Sequence, residues 1–197
     1  NNPLYLLGES PDDGEFVDLD NDGDWDCVMT DWNTDISYYL NTGDASNPNF
    51  VLQTGANNPF ENINPTPSNT SPKLKPTLAD LDGDGDIDAA FGDNDGLVYF
   101  VENIGTVNNP IFEIDPTNNW LGTATVNGNA VPEFCDLDND GQVNMLVAGD
   151  VGFIVYHEVR ETRGFYTSWF TFPASSSATG GDFAPAFVDI DNDNDLD

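Results

Sequence analysis

The sequence predicts an all-β fold, a β-propeller of four-stranded antiparallel blades, and three observations lead to this prediction. A nine-residue acidic stretch occurs four times, at residues 18–26, 80–88, 136–144 and 189–197, with a spacing of roughly 55 residues. Short apolar runs, broken by Gly, Asn, Asp and Pro, adjoin these stretches as antiparallel strands adjoin turns. No segment combines helical apolar periodicity with helix caps. Four-stranded units repeated in tandem are typical of a β-propeller.

The predicted strands occur in the same order in each repeat. In the first unit a strand ending in GEFVD leads into the acidic stretch, and CVMT, ISYYLN and NFVL follow it. The second unit gives PTLAD, AAFG, LVYFVEN and IFEI, and the third gives VPEFCD, MLVAG, FIVYHEV and FYTSWFTF. The predicted blades are 14–53, 75–114 and 131–172, with blade fragments at 1–8 and 184–197, all part of one propeller domain over 1–197.

Three blades are too few for a ring, because propellers close with four to eight. Residues 2–5, NPLY, match the NPxF sequence that enters a fourth strand, so the chain is expected to open on the last strand of an earlier blade. The further blades are therefore expected from the same, longer chain or from another chain.

The composition is that of a folded and strongly acidic protein. The 197 residues are 38% hydrophobic and 12% aromatic, with a formal net charge of −32 and four lysines and arginines in all. Nucleic acids and anionic membranes select basic surfaces, so neither is expected as a partner. There is also no run of 18 apolar residues, and no membrane insertion is expected.

The acidic stretches have the spacing of a calcium loop. A loop with side-chain oxygens at positions 1, 3 and 5, a turn-permitting residue at position 6 and a carbonyl at position 7 can wrap Ca²⁺, which takes six to eight oxygen ligands. An oxygen at position 9 closes the shell, and the apolar residues at positions 2 and 8 anchor the loop to a core. The predicted ligands are Asp18, Asp20, Asp22, Asp24, Asp26, Asp80, Asp82, Asp84, Asp86, Asp88, Asp136, Asp138, Asp140, Gln142, Asn144, Asp189, Asp191, Asp193, Asp195 and Asp197.

Calcium is the expected ion, at up to four structural sites, and Mg²⁺ is the alternative. A helix–loop–helix calcium site is excluded, because its glutamate at position 12 is replaced by Met29 and Phe91 in the first two loops. Gln142 is harmless if only its carbonyl is a ligand, whereas Asn144 removes a charge, so the third site is expected to bind more weakly. Asn194, at position 6 of the fourth loop, tolerates a left-handed backbone.

The motifs around the loops carry a family resemblance. Asn41–Gly43 with Asn47–Phe50, read as NTG and NPNF, match Asn103–Gly105 with Asn109–Phe112, read as NIG and NPIF. Together with DxDxDGDxD and the strands that follow it, these motifs resemble the FG-GAP/VCBS repeat family, the calcium-binding blades of integrin-α-type propellers. The resemblance covers nearly the whole chain but is weaker in the third unit, where RETRG replaces NxG and NPxF is missing.

Up-and-down strands place the acidic loops at one rim and the turns between second and third strands at the other. The linkers 54–74, 115–130 and 173–183 share that opposite rim, and variable loops on a rigid scaffold commonly bind partners. The resemblance implies the same recognition face. A Trp beside Asn and Asp suits a sugar ring, although Trp32 and Trp120 could instead pack between blades. The candidate ligand contacts are Asp31, Trp32, Asp95, Asn118, Asn119 and Trp120.

The sequence contains no recognisable catalytic constellation. Cys27 and Cys135 adjoin acidic stretches at small apolar positions and are expected to be buried free thiols. His157 has no Ser or Cys nucleophile near it in sequence and is expected to be structural. The paired carboxylates are better explained as metal ligands than as an acid–base pair, so no enzyme activity is predicted for this segment.

The predicted function is therefore a binding or adhesion role for a calcium-stabilised propeller that is secreted or displayed at the cell surface. Its expected partner is a protein or a glycan at the rim opposite the calcium loops. Extracellular calcium is millimolar, so even weak sites would fill there. A lectin-like propeller that binds glycans between blades and the propeller domain of a polysaccharide lyase are the alternatives.

Overall fold

The structure is a computed structural model that describes residues 13–31, 35–66, 73–114, 126–136 and 143–150, and the backbone of 154–158. Within these residues the chain forms eleven β-strands and a short 3₁₀ helix at Gly55–Asn57. The strands are β1 (Asp13–Val17), β2 (Asp26–Thr30), β3 (Ile36–Asn41), β4 (Phe50–Leu52), β5 (Lys75–Ala79), β6 (Asp88–Gly92), β7 (Val98–Asn103), β8 (Phe112–Glu113), β9 (Val131–Cys135), β10 (Asn144–Ala148) and β11 (Ile154–Glu158).

The strands form three antiparallel sheets, and each sheet corresponds to one repeat. The first unit has the order β1-β2-β3-β4 and the second β5-β6-β7-β8. In the third unit the described strands follow the order β9-β10-β11, and the predicted fourth strand lies outside the described residues. The predictions of an all-β fold and of sequential antiparallel pairing are confirmed.

The three sheets share one register. The residue after each acidic loop, Cys27, Ala89 or Met145, is opposite the fourth residue of the unit's first strand. All three residues are fully buried. Cys27 and Cys135 are free, as expected, but only Cys27 is fully buried and Cys135 is half-buried. The expectation of two buried thiols is thus wrong for Cys135, which ends β9 next to the half-buried Asp136.

Apolar faces of neighbouring sheets pack against each other. Between the first and second units, Phe60 from the connecting segment stacks on Phe112 with ring centroids 4.2 Å apart and meets Phe91 edge-on. Burying a side chain of this size stabilises the fold by roughly 1.5–3 kcal/mol. A second core joins the second and third units, where Phe100 and Met145 are among the buried residues.

The first strands of the three units lie side by side. Lys75 Nζ on β5 lies 3.1 Å from Asp13 Oδ2 on β1, and the Leu78 N–H donates to Glu15 Oε2 at 2.9 Å. The Glu15 carboxylate therefore accepts a hydrogen bond from the edge of β5 that does not pair with β6. Burial, followed by the nearby Glu133 carboxylate on β9, raises the pKa of Glu15 to about 8, although hydrogen bonds from Leu78 and Thr77 lower it.

Replacing Glu15 with glutamine should remove a pH-dependent loss of stability. The folded pKa of about 8 lies above the ordinary value of 4.5, so the contribution of protonated Glu15 is complete below pH 4.5 and is lost as the pH rises to 8. That loss is roughly 1–2 kcal/mol after allowance for solvent screening at a half-buried site. In melting curves recorded at about pH 5 and about pH 8.5, the melting temperature of Glu15→Gln relative to that of the wild type should be higher at the higher pH.

Glu113→Gln is the matched control, because Glu113 on β8 is exposed and the substitution removes the same charge. Its stability relative to the wild type should be similar at both pH values. Equal differences between Glu15→Gln and the wild type at the two pH values would contradict the proposed environment of Glu15.

Candidate metal centre

The acidic loops connect the first and second strands of the units. Their backbones turn where the sequence supplies glycine: position 6 is Gly23 in the first loop and Gly85 in the second, with φ values of +94° and +97°. This left-handed region is open to glycine without steric cost. The loops therefore curl back on themselves and direct alternate side chains inward.

Carboxylate oxygens converge in both described loops. In the first loop, one oxygen each from Asp18, Asp20 and Asp22 lie within 4.8 Å of one another. In the second loop the converging group is Asp80, Asp82 and Asp88, so positions 1 and 3 recur and position 9 replaces position 5. Three carboxylates at this separation repel each other strongly unless protons or a cation lie among them.

The carboxylate at position 1 also folds each loop. Asp80 accepts hydrogen bonds from the N–H groups of Gly83 at 2.8 Å and Gly85 at 3.1 Å. In the first loop Asp18 accepts the N–H groups of Asp22 and Gly23 at 3.1 Å each, so the bond from position 6 recurs and the second donor lies at position 5 instead of position 4. A carboxylate oxygen has more than one acceptor direction, so these bonds leave capacity for a cation.

The side chains at position 7 are buried without full hydrogen bonding. Asp24 and Asp86 are only 7% and 8% exposed, and Oδ1 of each has no hydrogen-bond partner within the described residues. Burial, followed by the neighbouring carboxylates, raises the pKa of Asp86 to about 6, and the same causes raise the pKa of Asp24. The loop pattern predicts that Asp24 and Asp86 bind the ion through the backbone carbonyl at this position. The structure adds a buried side-chain oxygen, which becomes a further candidate ligand.

The carboxylates at position 9 connect the loops to the sheets. Asp88 accepts the N–H of Leu81 at 3.1 Å and that of Asn103 at 2.8 Å. Asp26 accepts the N–H of Asn41 at 2.7 Å and the Tyr38 hydroxyl at 2.6 Å. Burial raises the pKa of both groups, to about 7 for Asp88 and about 6 for Asp26, despite these hydrogen bonds.

The asparagine that ends the third strand continues this connection. Oδ1 of Asn103 accepts the N–H groups of Gly105 and Ile111, each at 3.0 Å, and so fixes the turn before the fourth strand. Asn41 does the same in the first unit. A side chain on Gly105 would collide with the carbonyl of Asn109, which explains the glycine of NxG. The recurrence of NxG in the sequence marks the family resemblance, but sequence alone did not reveal this structural role of its asparagine.

The sequence of the third unit has neither the aspartate at position 9 nor the asparagine at the corresponding place at the end of the third strand. Asn144, at position 9, is buried and pairs in register with Glu158. The next residue in sequence is Val159, whereas Asn41 and Asn103 follow the corresponding residues of the first two units. Among the other predicted ligands of the third and fourth loops, Asp136 is half-buried, and the rest lie outside the described residues: Asp138, Asp140, Gln142, Asp189, Asp191, Asp193, Asp195 and Asp197.

The candidate ligand contacts at the opposite rim are described only in part. Asp31 and Asp95 lie in the β2–β3 and β6–β7 turns, at the sheet ends away from the acidic loops. Asp31 accepts the Asp35 N–H at 3.0 Å, and the Asp95 N–H donates to Asp93 at 2.9 Å. Four candidates, Trp32, Asn118, Asn119 and Trp120, lie outside the described residues, as does the side chain of His157.

No protein-family model matches the chain, and no curated protein matches it significantly. Among the described residues, no helix is long and apolar enough to cross a membrane.

Removing the Asn103 amide should destabilise the fold strongly. Asn103→Ala leaves the N–H groups of Gly105 and Ile111 without their acceptor, and the free energy of unfolding should fall by about 2–4 kcal/mol. Urea denaturation measures this change. Asn62→Ala, at an exposed asparagine in the segment between the first two units, should change it by less than about 0.5 kcal/mol. Equal stability of the two variants would refute the structural role of Asn103.

Proposed function

We propose that this chain forms blades of a calcium-stabilised β-propeller that acts as a secreted or cell-surface binding module and is not catalytic in this segment. The observation that carries the proposal is the pair of buried, unpartnered carboxylate oxygens of Asp24 and Asp86, beside two clusters of converging aspartates. An ionised carboxylate in such a position is strongly unfavourable without a cation. A bound metal ion would satisfy these oxygens and offset the repulsion within each loop.

The donor set favours calcium over other metals. Every candidate ligand in the two described loops is an oxygen, which suits a hard cation and not zinc. Each loop offers at least three converging carboxylates and a further buried carboxylate oxygen, a protein-rich ligand set that suits Ca²⁺, whereas Mg²⁺ is usually bound by one or two carboxylates and keeps several waters. An ion enclosed by so many protein ligands has a structural role.

The packing of the sheets supports the propeller. Three sheets whose described strands share one order and register lie side by side, with their first strands adjacent and an apolar core between consecutive sheets. This is the relation expected of consecutive blades around an axis. The turns that hold Asp31 and Asp95 then face away from the calcium loops, which suits binding of a protein or glycan partner there.

Calcium should raise the stability of the whole chain, and magnesium should raise it less. A site filled at 100 times its dissociation constant adds about 2.7 kcal/mol of stability, so chelation should lower the melting temperature by several degrees. The measurement is thermal unfolding at constant ionic strength in about 2 mM CaCl₂, about 2 mM MgCl₂ or excess chelator. The cation concentration is set near the millimolar calcium level found outside cells. A melting temperature that is unchanged in excess chelator would refute the calcium sites.

A variant pair locates the effect. Asp82→Asn removes one charge from the carboxylate cluster of the second loop and should weaken calcium binding by about tenfold or more, as followed by isothermal titration calorimetry. Asp95→Asn removes the same charge from the exposed β6–β7 turn and should leave calcium affinity within about twofold of the wild type. Equal effects of the two substitutions would indicate non-specific charge screening.

A further inference from the structure

We infer that a cleft between the first and second units binds a neutral saccharide, an inference that rests on the calcium loop proposed above. The cleft has a volume of about 420 Å³, within the range of small-molecule sites. It is separate from the opposite-rim turns of Asp31 and Asp95. Its polar lining comes from both units and from the first acidic loop: Asp20, Tyr38, Gln53, Asn57, Asn108 and Asn109.

The walls of the cleft are held in place without a ligand. Nδ2 of Asn108 donates to the carbonyl of Asp20 at 3.0 Å, which fixes the turn of the second unit against the acidic loop. The Gln53 N–H donates to the Tyr38 carbonyl at 2.8 Å, which fixes the segment after β4 against β3. Because the cleft is preformed, binding requires little additional ordering of the protein.

The polar groups of the cleft match the hydroxyl groups of a sugar. The side-chain amides of Asn57 and Asn109 make no hydrogen bond to any of the residues that the structure describes. Gln53 uses its Nε2 group on a backbone carbonyl and keeps its Oε1 atom available. Amides offer both donors and acceptors, and neighbouring sugar hydroxyls need both. Pro59 and Pro110 add apolar surface suited to the CH groups of a sugar ring.

The negative charge of the cleft and of the whole chain favours neutral saccharides over anionic ones. The described lining contains no lysine or arginine to neutralise an anion. The Asp20 carboxylate and the net charge of −32 repel one. Sugars that carry a carboxylate should therefore bind more weakly than their neutral counterparts.

Asp20 connects the cleft to the calcium loop. It belongs to the carboxylate cluster with Asp18 and Asp22, and its buried Oδ1 has no hydrogen-bond partner within the described residues. A cation in the loop would bind this oxygen and fix the Asp20 backbone, to which Asn108 is bonded. Saccharide affinity should therefore depend on calcium.

The test uses the whole chain in millimolar calcium and saturation-transfer difference NMR. The probes are glucose, galactose, mannose, fucose and N-acetylglucosamine, with glucuronic acid as the anionic comparison. At least one neutral sugar should bind, and chelator should abolish the signal. Asn57→Ala and Asn109→Ala should each weaken binding by about fivefold to tenfold, the loss of one or two hydrogen bonds. Asn62→Ala, an exposed asparagine outside the cleft, should have no effect.

Three results would overturn the inference. One is the absence of neutral-sugar binding by a chain whose melting temperature still responds to calcium, which would leave the calcium proposal intact. Another is binding that Asn57→Ala and Asn109→Ala do not weaken, which would place the sugar elsewhere. The third is equal binding of glucuronic acid. Loss of both sugar binding and the calcium-dependent melting shift would instead overturn the calcium loop together with the saccharide site.

Discussion

The hydrogen-bonded connection from Asp88 to Asn103 is the constraint on which the rest of the second unit depends, and Asp26 with Asn41 repeats it in the first. The Asp88 carboxylate binds the backbone of its own loop and of the third strand, and the Asn103 amide then binds the turn before the fourth strand. Loop, third strand and turn are thereby joined through two buried side chains. Backbone N–H groups that would otherwise be costly to bury obtain acceptors in this way.

This arrangement carries an electrostatic cost. Burial of the Asp88 carboxylate raises its pKa to about 7, and the pKa of the neighbouring Asp86 is raised to about 6. Near neutral pH, part of the charge on which the hydrogen bonds rely would be lost by protonation. A cation inside the loop favours the ionised form of every neighbouring carboxylate. Calcium would then stabilise the sheet through the charge state of a few buried aspartates as much as through the loop itself.

The sequence was most informative where a physical requirement recurs. The period-2 aspartates, the glycine at position 6 and the short apolar strands repeat, so the loops and the all-β, antiparallel order could be predicted. Phe60 could not, because the segment that carries it appears once and its contacts with Phe91 and Phe112 depend on how two units pack. The same limit applies to the cleft, whose walls come from residues 88 positions apart in Asn108 and Asp20. Burial of the Asp24 side chain was also missed, because alternation alone does not fix how deeply a loop side chain lies.

A contact between units makes the first acidic loop part of a larger structure. The first loop is bonded to the second unit through Asn108, and Phe60 fills the core between the same two units. In repeat proteins, stability is carried largely by such nearest-neighbour interfaces, so an ion that orders one loop also stabilises the adjoining unit. The third unit, with Asn144 in place of the aspartate, has less buried charge at position 9 and less need of a cation there. The stability of the units would therefore depend on calcium to different degrees, although the described strands of all three units share one register.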